Sequence, residues 1–131
     1  DSREESDYLP HNYTHNCVVY TGTHDNDTVM GWYDTLKGAD KKLCDDYLRL
    51  KNADGEPIPR EQLPWEFVRA AMSSVADLAI IPMQDYLGLG SEARINIPST
   101  LGINWKWRMG NGDFTKELAG RIRSMTKLYG R

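Results

Sequence analysis

The chain alternates short runs of consecutive apolar residues with longer stretches in which apolar residues recur every three or four positions. The short runs at residues 17–21 and 78–82 end at turn residues or proline and predict two buried β-strands. The helical spacing predicts four helices, at residues 27–37, 39–51, 64–76 and 113–129. Because helices separate the strands, we expect the strands to pair in parallel through a right-handed crossover.

The ends of these helices carry residues that commonly cap helices. Asp27 or Thr28 is predicted to N-cap the first helix, and Gly38 is predicted to close it. The last helix is predicted to bury a face formed by Phe114, Leu118, Ile122 and Met125. Residues 1–16 have little periodicity and are predicted to be a loop, and residues 95–110 are predicted to be extended, irregular chain.

This order of elements predicts a helix-rich α/β fold with two short parallel strands. Parallel sheets need cover on both faces and more than two strands for stability. We therefore expect the two strands to belong to a larger sheet whose other strands lie elsewhere. The sequence also opens with charged, turn-rich residues and no initiator Met, so we expect it to be part of a longer protein.

Charge and composition exclude several classes of function. A formal net charge of −3 and a pI near 5.6 argue against a nucleic-acid binder that relies on a basic surface. No apolar run is long enough to span a membrane, and the start does not have the pattern of a signal peptide. Cys17 and Cys44 are expected to be buried free thiols in a reducing compartment, which predicts a cytoplasmic protein.

The strongest candidate for chemistry is the polar run His24-Asp25-Asn26-Asp27, which follows the first strand directly. Functional side chains collect at the C-terminal ends of parallel strands. Asp27 is expected to cap a helix and Asn26 to hold a turn, whereas His24 and Asp25 can donate to and accept from the hydroxyl groups of a sugar. The same spacing could supply three metal ligands, but no further His follows downstream, so a metal is the weaker alternative.

A second group of polar residues follows the second strand. Gln84, Asp85 and Arg94 either cap a helix and form a buried salt bridge or contribute to a site, and the sequence leaves both readings open. The G-L-G-S stretch at residues 88–91 lacks the Lys and the spacing of a phosphate-binding loop, so we expect a turn capped by Ser91.

Two tryptophans alternate in Asn104-Trp105-Lys106-Trp107-Arg108. In an extended segment Trp105 and Trp107 would lie on one side. That side either packs against the protein or forms an aromatic surface on which sugar rings stack.

The motifs together carry a family resemblance. T-G-T-H-D-N-D-T at 21–28, I-P-M-Q-D-Y-L-G-L-G-S-E-A-R-I-N-I-P at 81–98 and N-W-K-W-R at 104–108 resemble, in order and spacing, the C-terminal part of the 4-α-glucanotransferases. P-H-N-Y at 10–13 fits as well. These enzymes, also called amylomaltases or disproportionating enzymes, belong to the α-amylase clan.

The resemblance implies a (β/α)₈ TIM barrel in which residues 1–131 form the C-terminal part of a single catalytic domain, with residues 17–21 and 78–82 as its seventh and eighth strands. It implies transfer of α-1,4-glucan segments between oligosaccharides with retention. The substrate partners would be maltooligosaccharides, with no cofactor, metal, nucleic acid or membrane.

The resemblance also assigns site residues. Asp25 matches the carboxylate that stabilises the distorted, oxocarbenium-like sugar, and His24 matches the sugar-binding His beside it. Asn96, Asn104 and Trp105 fall where acceptor-side or architectural contacts lie.

Two departures from the family pattern limit these expectations. The nucleophile and the acid/base carboxylate of the family lie on earlier strands, and no carboxylate here matches either motif. Ile103 stands where a small residue is expected. We therefore expect the isolated chain to be inactive and to self-associate through its strand edges. A non-catalytic glucan-binding module is the main alternative, and a metal-dependent hydrolase is a third.

Overall fold

The structure is a computed structural model that describes residues 6–131. The strands are β1 (Val18–Tyr20) and β2 (Leu78–Ile80). The helices are α1 (Val29–Thr35), α2 (Gly38–Tyr47), α3 (Leu63–Met72), α4 (Met83–Tyr86) and α5 (Lys116–Leu128). Short 3-10 turns lie at Pro10–Asn12, Arg60–Gln62 and Ser91–Ala93. The first of these interrupts the loop predicted for residues 1–16, and residues 1–5 lie outside the described part.

The two strands pair in parallel, as predicted, with Val18 opposite Leu78 and Tyr20 opposite Ile80. Val19 points inward and is only 4% exposed, whereas Val18 and Leu78 are 43% and 51% exposed. The prediction that β2 is buried on both faces is therefore wrong for this chain. Within residues 6–131 the sheet has two strands, so there is too little packed structure to cover both of its faces.

The prediction that Gly38 closes α1 is wrong, because Gly38 is the first residue of α2. Lys37 is extended, with φ −141° and ψ 161°, which separates the two helices before Gly38. α2 ends before its predicted limit, and Arg49 just beyond it has φ 57°. This left-handed residue turns the chain so that Leu50 returns to the interior, where it is 1% exposed.

The other two long helices are shorter than predicted. α3 ends at Met72, and α5 begins at Lys116, with Thr115 as the N-cap that accepts a hydrogen bond from Leu118 N at 3.1 Å. Phe114 precedes this cap and is 50% exposed, so its predicted burial is wrong. In residues 6–131, no helix has both the length and the apolar character to cross a bilayer.

Three apolar clusters form the interior, and α3 contributes to all three of them. Trp65, Val68 and Met72 of α3 pack against Met125 of α5. On the sheet side, Val19 packs with Ala71 and Ala76. The third cluster joins α1 to α2 and consists of Val29, Met30, Tyr33, Cys44, Leu50 and Leu63. α3 therefore anchors the sheet, and with it the loops that follow β1 and β2.

Candidate functional site

A buried carboxylate ties together the segments that follow the two strands. Asp85 in α4 is 1% exposed and accepts hydrogen bonds from Thr21 Oγ1 at 2.5 Å and from Val29 N at 2.9 Å. Burial raises the pKa of Asp85, and these two hydrogen bonds oppose that shift. Of the two readings that the sequence left open for Asp85, the structure shows the structural one, because both carboxylate oxygens bind the neighbouring loop and helix.

A second tie between the same segments involves Asp27. The N-cap of α1 is Thr28, whose hydroxyl accepts from Gly31 N at 3.1 Å. Asp27 instead accepts from Thr28 N at 2.8 Å and from Ser91 Oγ at 2.6 Å. Ser91 therefore bonds to a carboxylate 64 residues away, which local sequence gave no reason to expect.

These ties bring four of the predicted site residues together. Asn96 Nδ2 donates to Asp25 Oδ1 at 2.6 Å, and His24 Nε2 lies 3.3 Å from Asp25 Oδ2. The ring of Trp105 lies beside that of His24, with centroids 5.1 Å apart. The side chains of His24 and Asp25 are 55% and 51% exposed, so a ligand can reach them. The result is an open surface with an imidazole, a carboxylate, an amide and an aromatic ring in contact.

Arg94 holds the main chain of this cluster. Its Nη2 donates to the carbonyl of Asp25 at 2.7 Å and its Nε donates to the carbonyl of Asn96 at 2.9 Å. Arg94 binds these carbonyl groups instead of forming the salt bridge that one of the two open readings assigned to it. An Arg in sequence does not reveal whether it will meet a carboxylate or a carbonyl, so only the folded chain could show this role.

Asn104 supports the loop next to the cluster. Its Oδ1 accepts from Ile97 N at 3.0 Å, and its Nδ2 donates to Thr100 O at 3.0 Å. Both ends of the amide therefore bind the loop that leads to Trp105.

Trp105 lies in a turn, so the predicted extended alternation with Trp107 is wrong there. Its φ is 65°, a left-handed value that is unusual for a bulky residue. Its N donates to Ile95 O at 2.7 Å, which holds the turn against the segment that carries Asn96. Trp105 is 57% exposed, whereas Trp107 is half-buried.

Comparisons with known proteins show the family of the chain. The profile of glycoside hydrolase family 77, described as 4-alpha-glucanotransferase, matches residues 1–113. The chain belongs to the 4-alpha-glucanotransferase family. The 4-alpha-glucanotransferase of Clostridium butyricum is 50% identical over 125 residues, and that alignment covers 95% of this chain and 24% of the relative. The Thermus thermophilus 4-alpha-glucanotransferase is 44% identical over 131 residues, covering 97% and 25%.

A solved structure of the family matches the whole fold. Amylomaltase from Streptococcus agalactiae in complex with acarbose superposes with a TM-score of 0.86 at 35% identity, over 100% of this chain and 25% of that one. The chain thus spans about a quarter of the length of the 4-alpha-glucanotransferases that it matches.

The metal alternative finds no support in the arrangement of donors. Within the described residues, no group of three or more His, Cys, Asp or Glu side chains could hold a metal ion. Asp27, which completed the H-D-x-D pattern, turns away to Ser91. The residues of this motif therefore lie in two places. His24 and Asp25 are on the open surface, whereas Asp27 joins two segments through its hydrogen bond with Ser91.

A cavity of about 820 Å³ lies outside this cluster. It is lined by residues of β1, α1, α2 and α3, which include Tyr20, Trp32 and Phe67. It reaches Asn26 and Asp27 but not His24 or Asp25. This concave surface is therefore mostly apolar and does not include His24 or Asp25.

Proposed function

We propose that this chain is the C-terminal part of a 4-α-glucanotransferase catalytic domain, a (β/α)₈ barrel that transfers α-1,4-glucan segments between oligosaccharides with retention. Family membership supports the reaction class. The single observation that carries the site is the contact of His24, Asp25, Asn96 and Trp105 on one exposed surface after β1. The C-terminal end of a strand is where a barrel enzyme binds its substrate.

In the proposed reaction Asp25 accepts hydrogen bonds from hydroxyls of the glucose at the cleavage point and stabilises the positive charge that develops on its ring. Each carboxylate oxygen has two lone pairs, so the contacts with Asn96 and His24 leave acceptor capacity for sugar hydroxyls. His24 lies between Asp25 and Trp105, where its imidazole can meet a hydroxyl. Trp105 offers a ring face against which a sugar can pack, and Asn104 supports Trp105 through its loop.

The chain by itself is proposed to be inactive. Retention needs a nucleophilic carboxylate and an acid/base carboxylic acid roughly 5–5.5 Å apart across the scissile bond. Neither of two carboxylates near Asp25 is free to take these roles. Asp27 accepts a hydrogen bond from Ser91, and Asp85 is buried and accepts hydrogen bonds from Thr21 and Val29. Asp25 alone therefore stabilises charge but supplies neither the covalent intermediate nor the proton.

The test grafts this chain into a full-length relative. Residues 1–131 replace the matching 24% of the Clostridium butyricum 4-alpha-glucanotransferase, and the product is incubated with maltotriose. We expect glucose and longer oligomers from the chimera, none after Asp25→Asn, and none from the isolated chain. A folded chimera without turnover contradicts the proposal, and turnover by the isolated chain contradicts its predicted inactivity.

A non-catalytic glucan-binding module is the second candidate, favoured by the open, half-exposed surface around His24 and Asp25. Calorimetry with maltoheptaose on the isolated chain separates the two when it is combined with the chimera. Binding by the chain without turnover in a folded chimera supports the module.

The isolated chain is also proposed to self-associate. Val18, Tyr20, Leu78 and Ile80 of the paired strands are all more than two-fifths exposed, and the apolar cavity runs beside them. Exposed apolar strands are templates for pairing with another chain. We expect light scattering to show dimers or larger species whose fraction rises with concentration, and a monomer over the whole range contradicts this.

A further inference from the structure

The three-residue segment Arg94-Ile95-Asn96 contains one residue of the polar cluster and contacts two others, Asp25 and Trp105. Arg94 donates to the main chain of Asp25, Ile95 accepts from Trp105 N, and Asn96 donates to the side chain of Asp25. Two of these contacts span 69 and 71 residues, so they join the loop after β1 to the chain that follows β2. The cluster is therefore assembled from separate segments that meet at residues 94–96.

Within this segment, Arg94 has the geometry of a clamp. The Nε and Nη2 atoms lie on one edge of the planar guanidinium and present two nearly parallel donors. One donates to Asp25 O at 2.7 Å and the other to Asn96 O at 2.9 Å. A single rigid group thus fixes the spacing between two backbones. The residues that own these carbonyls are the ones whose side chains pair at 2.6 Å.

We propose that Arg94 is the positioning residue of this site, and that it aligns the Asp25 carboxylate by holding the Asp25 and Asn96 backbones at the spacing their side-chain hydrogen bond needs. Arg94 itself touches carbonyl oxygens and does not need to contact the glucan. The role of the aligned carboxylate toward a sugar rests on the proposed function, whereas the alignment itself does not. A carboxylate that must meet a reacting sugar loses effect when it shifts by about 1 Å, so a clamp on its backbone is expected to matter.

The chain offers a matched control. The guanidinium of Arg131 also donates hydrogen bonds to main-chain carbonyls, at 2.7 to 2.8 Å. The acceptors are the carbonyls of Met72, Ser74 and Ala76. These carbonyls lie at the end of α3, away from Asp25 and Asn96. Replacing Arg131 removes the same kind of bond without touching the cluster.

The experiment measures, by NMR on the 131-residue chain, the solvent exchange of the Asn96 side-chain amide in Arg94→Met, Arg94→Lys and Arg131→Met, with thermal unfolding of each. Loss of the Asn96–Asp25 hydrogen bond is expected to accelerate exchange by about tenfold or more, since a bond to a charged acceptor contributes at least about 1.4 kcal/mol, which is a factor of ten. We expect this in both Arg94 variants and not in Arg131→Met. The Arg94→Lys variant keeps the positive charge and most of the aliphatic side chain but loses the two paired donors of the guanidinium. It therefore tests the clamp even where Arg94→Met unfolds.

Three results would overturn the inference. Unchanged exchange in both Arg94 variants shows that the clamp is not needed. Wild-type exchange in Arg94→Lys shows that charge, and not the paired donors, sets the alignment. Equal acceleration in all three variants shows that a general loss of stability opens the site.

The effect of Arg94 on glucan binding is measured separately, by calorimetry with maltoheptaose. Where the wild-type chain binds, we expect Arg94→Met to weaken binding by about tenfold and Arg131→Met to leave it unchanged. A wild-type chain that does not bind counts against the proposed function, while the exchange result still decides the role of Arg94. Wild-type affinity in a folded Arg94→Met chain overturns the inference.

Discussion

Gly31 is the position at which a one-carbon change gives the sharpest test of how the two loops are joined. Gly31 lies in the first turn of α1, and a Cβ there would come within 2.6 Å of Asp27 Oδ1 and 2.7 Å of Asp27 Cγ, and would also collide with Ser91 Oγ. Real Cβ contacts are not this short, so Gly31→Ala must displace the two side chains that form the 2.6 Å hydrogen bond between the loops.

The expected magnitude is the balance of two opposing effects. Alanine in place of glycine in a helix stabilises by about 1 kcal/mol. Against this, the hydrogen bond from Ser91 to the Asp27 carboxylate contributes about 1.5 to 3 kcal/mol, and forcing extra volume into packed structure costs about 1 to 3 kcal/mol. We expect Gly31→Ala to lower the free energy of unfolding by about 1.5 to 5 kcal/mol, since the losses exceed the gain.

The matched control is Gly120→Ala in α5. Gly120 also lies inside a helix, but a Cβ there meets nothing within 4 Å. Urea unfolding followed by circular dichroism should show Gly120→Ala stabilised by up to about 1 kcal/mol and Gly31→Ala destabilised. Ser91→Ala removes one of the colliding atoms, so Gly31→Ala should cost less in that background than in the wild type. Equal stabilisation by both glycine substitutions would refute the reasoning.

The remaining predictions concern a buried carboxylate, a buried thiol and a strained tryptophan. Asp85→Ala should destabilise by about 2 to 4 kcal/mol in urea unfolding, because Val29 N–H loses its acceptor inside the protein, and Asp85→Asn should cost less because it keeps one acceptor. Equal losses would contradict this account. Burial raises the pKa of Cys44 from 9.0 to about 11, so iodoacetamide at pH 8 should modify it far more slowly than in the unfolded chain. Because the pKa of Cys44 is higher in the folded chain than in the unfolded chain, its thiol stabilises the fold below pH 9, and this stabilisation is lost as the pH rises from 9.0 to about 11. A Cys44→Ala chain that loses as much stability over this pH range as the wild type would contradict this account. Trp105→Gly should leave the thermal midpoint unchanged or raise it, since glycine accepts the φ of 65°, while maltoheptaose binding weakens by about threefold to tenfold; a lower midpoint with unchanged binding would refute this.

Wherever local pattern decides structure, the sequence was a reliable guide. The apolar runs around Val19 and Ala79 predicted two strands, and the intervening helices predicted their parallel pairing. The motif at 21–28 predicted the cluster residues His24 and Asp25 through the family resemblance. The strands depend on neighbours a few positions apart, and their parallel pairing follows from the order of the elements along the chain.

Predictions failed where a single residue's surroundings decide its role. Gly38 can close one helix or begin the next, and it begins α2 because Leu36 and Lys37 are both extended and end α1 before it. Phe114 continues the apolar period of α5 but precedes its cap, so it stays exposed. Trp105 follows an alternating pattern, yet a hydrogen bond to Ile95 holds it in a turn.

The linear chain by itself determined the strands, the main helices and the identity of the polar residues after β1. Tertiary structure alone decided which of those residues form the open cluster and which build the scaffold. Asp25 bonds to Asn96 and Asp27 bonds to Ser91 across 71 and 64 residues, so two acidic residues only two positions apart have different roles. The physical reason is that these hydrogen bonds exist only once α3 has packed β1 beside β2, and no spacing along the chain specifies that contact.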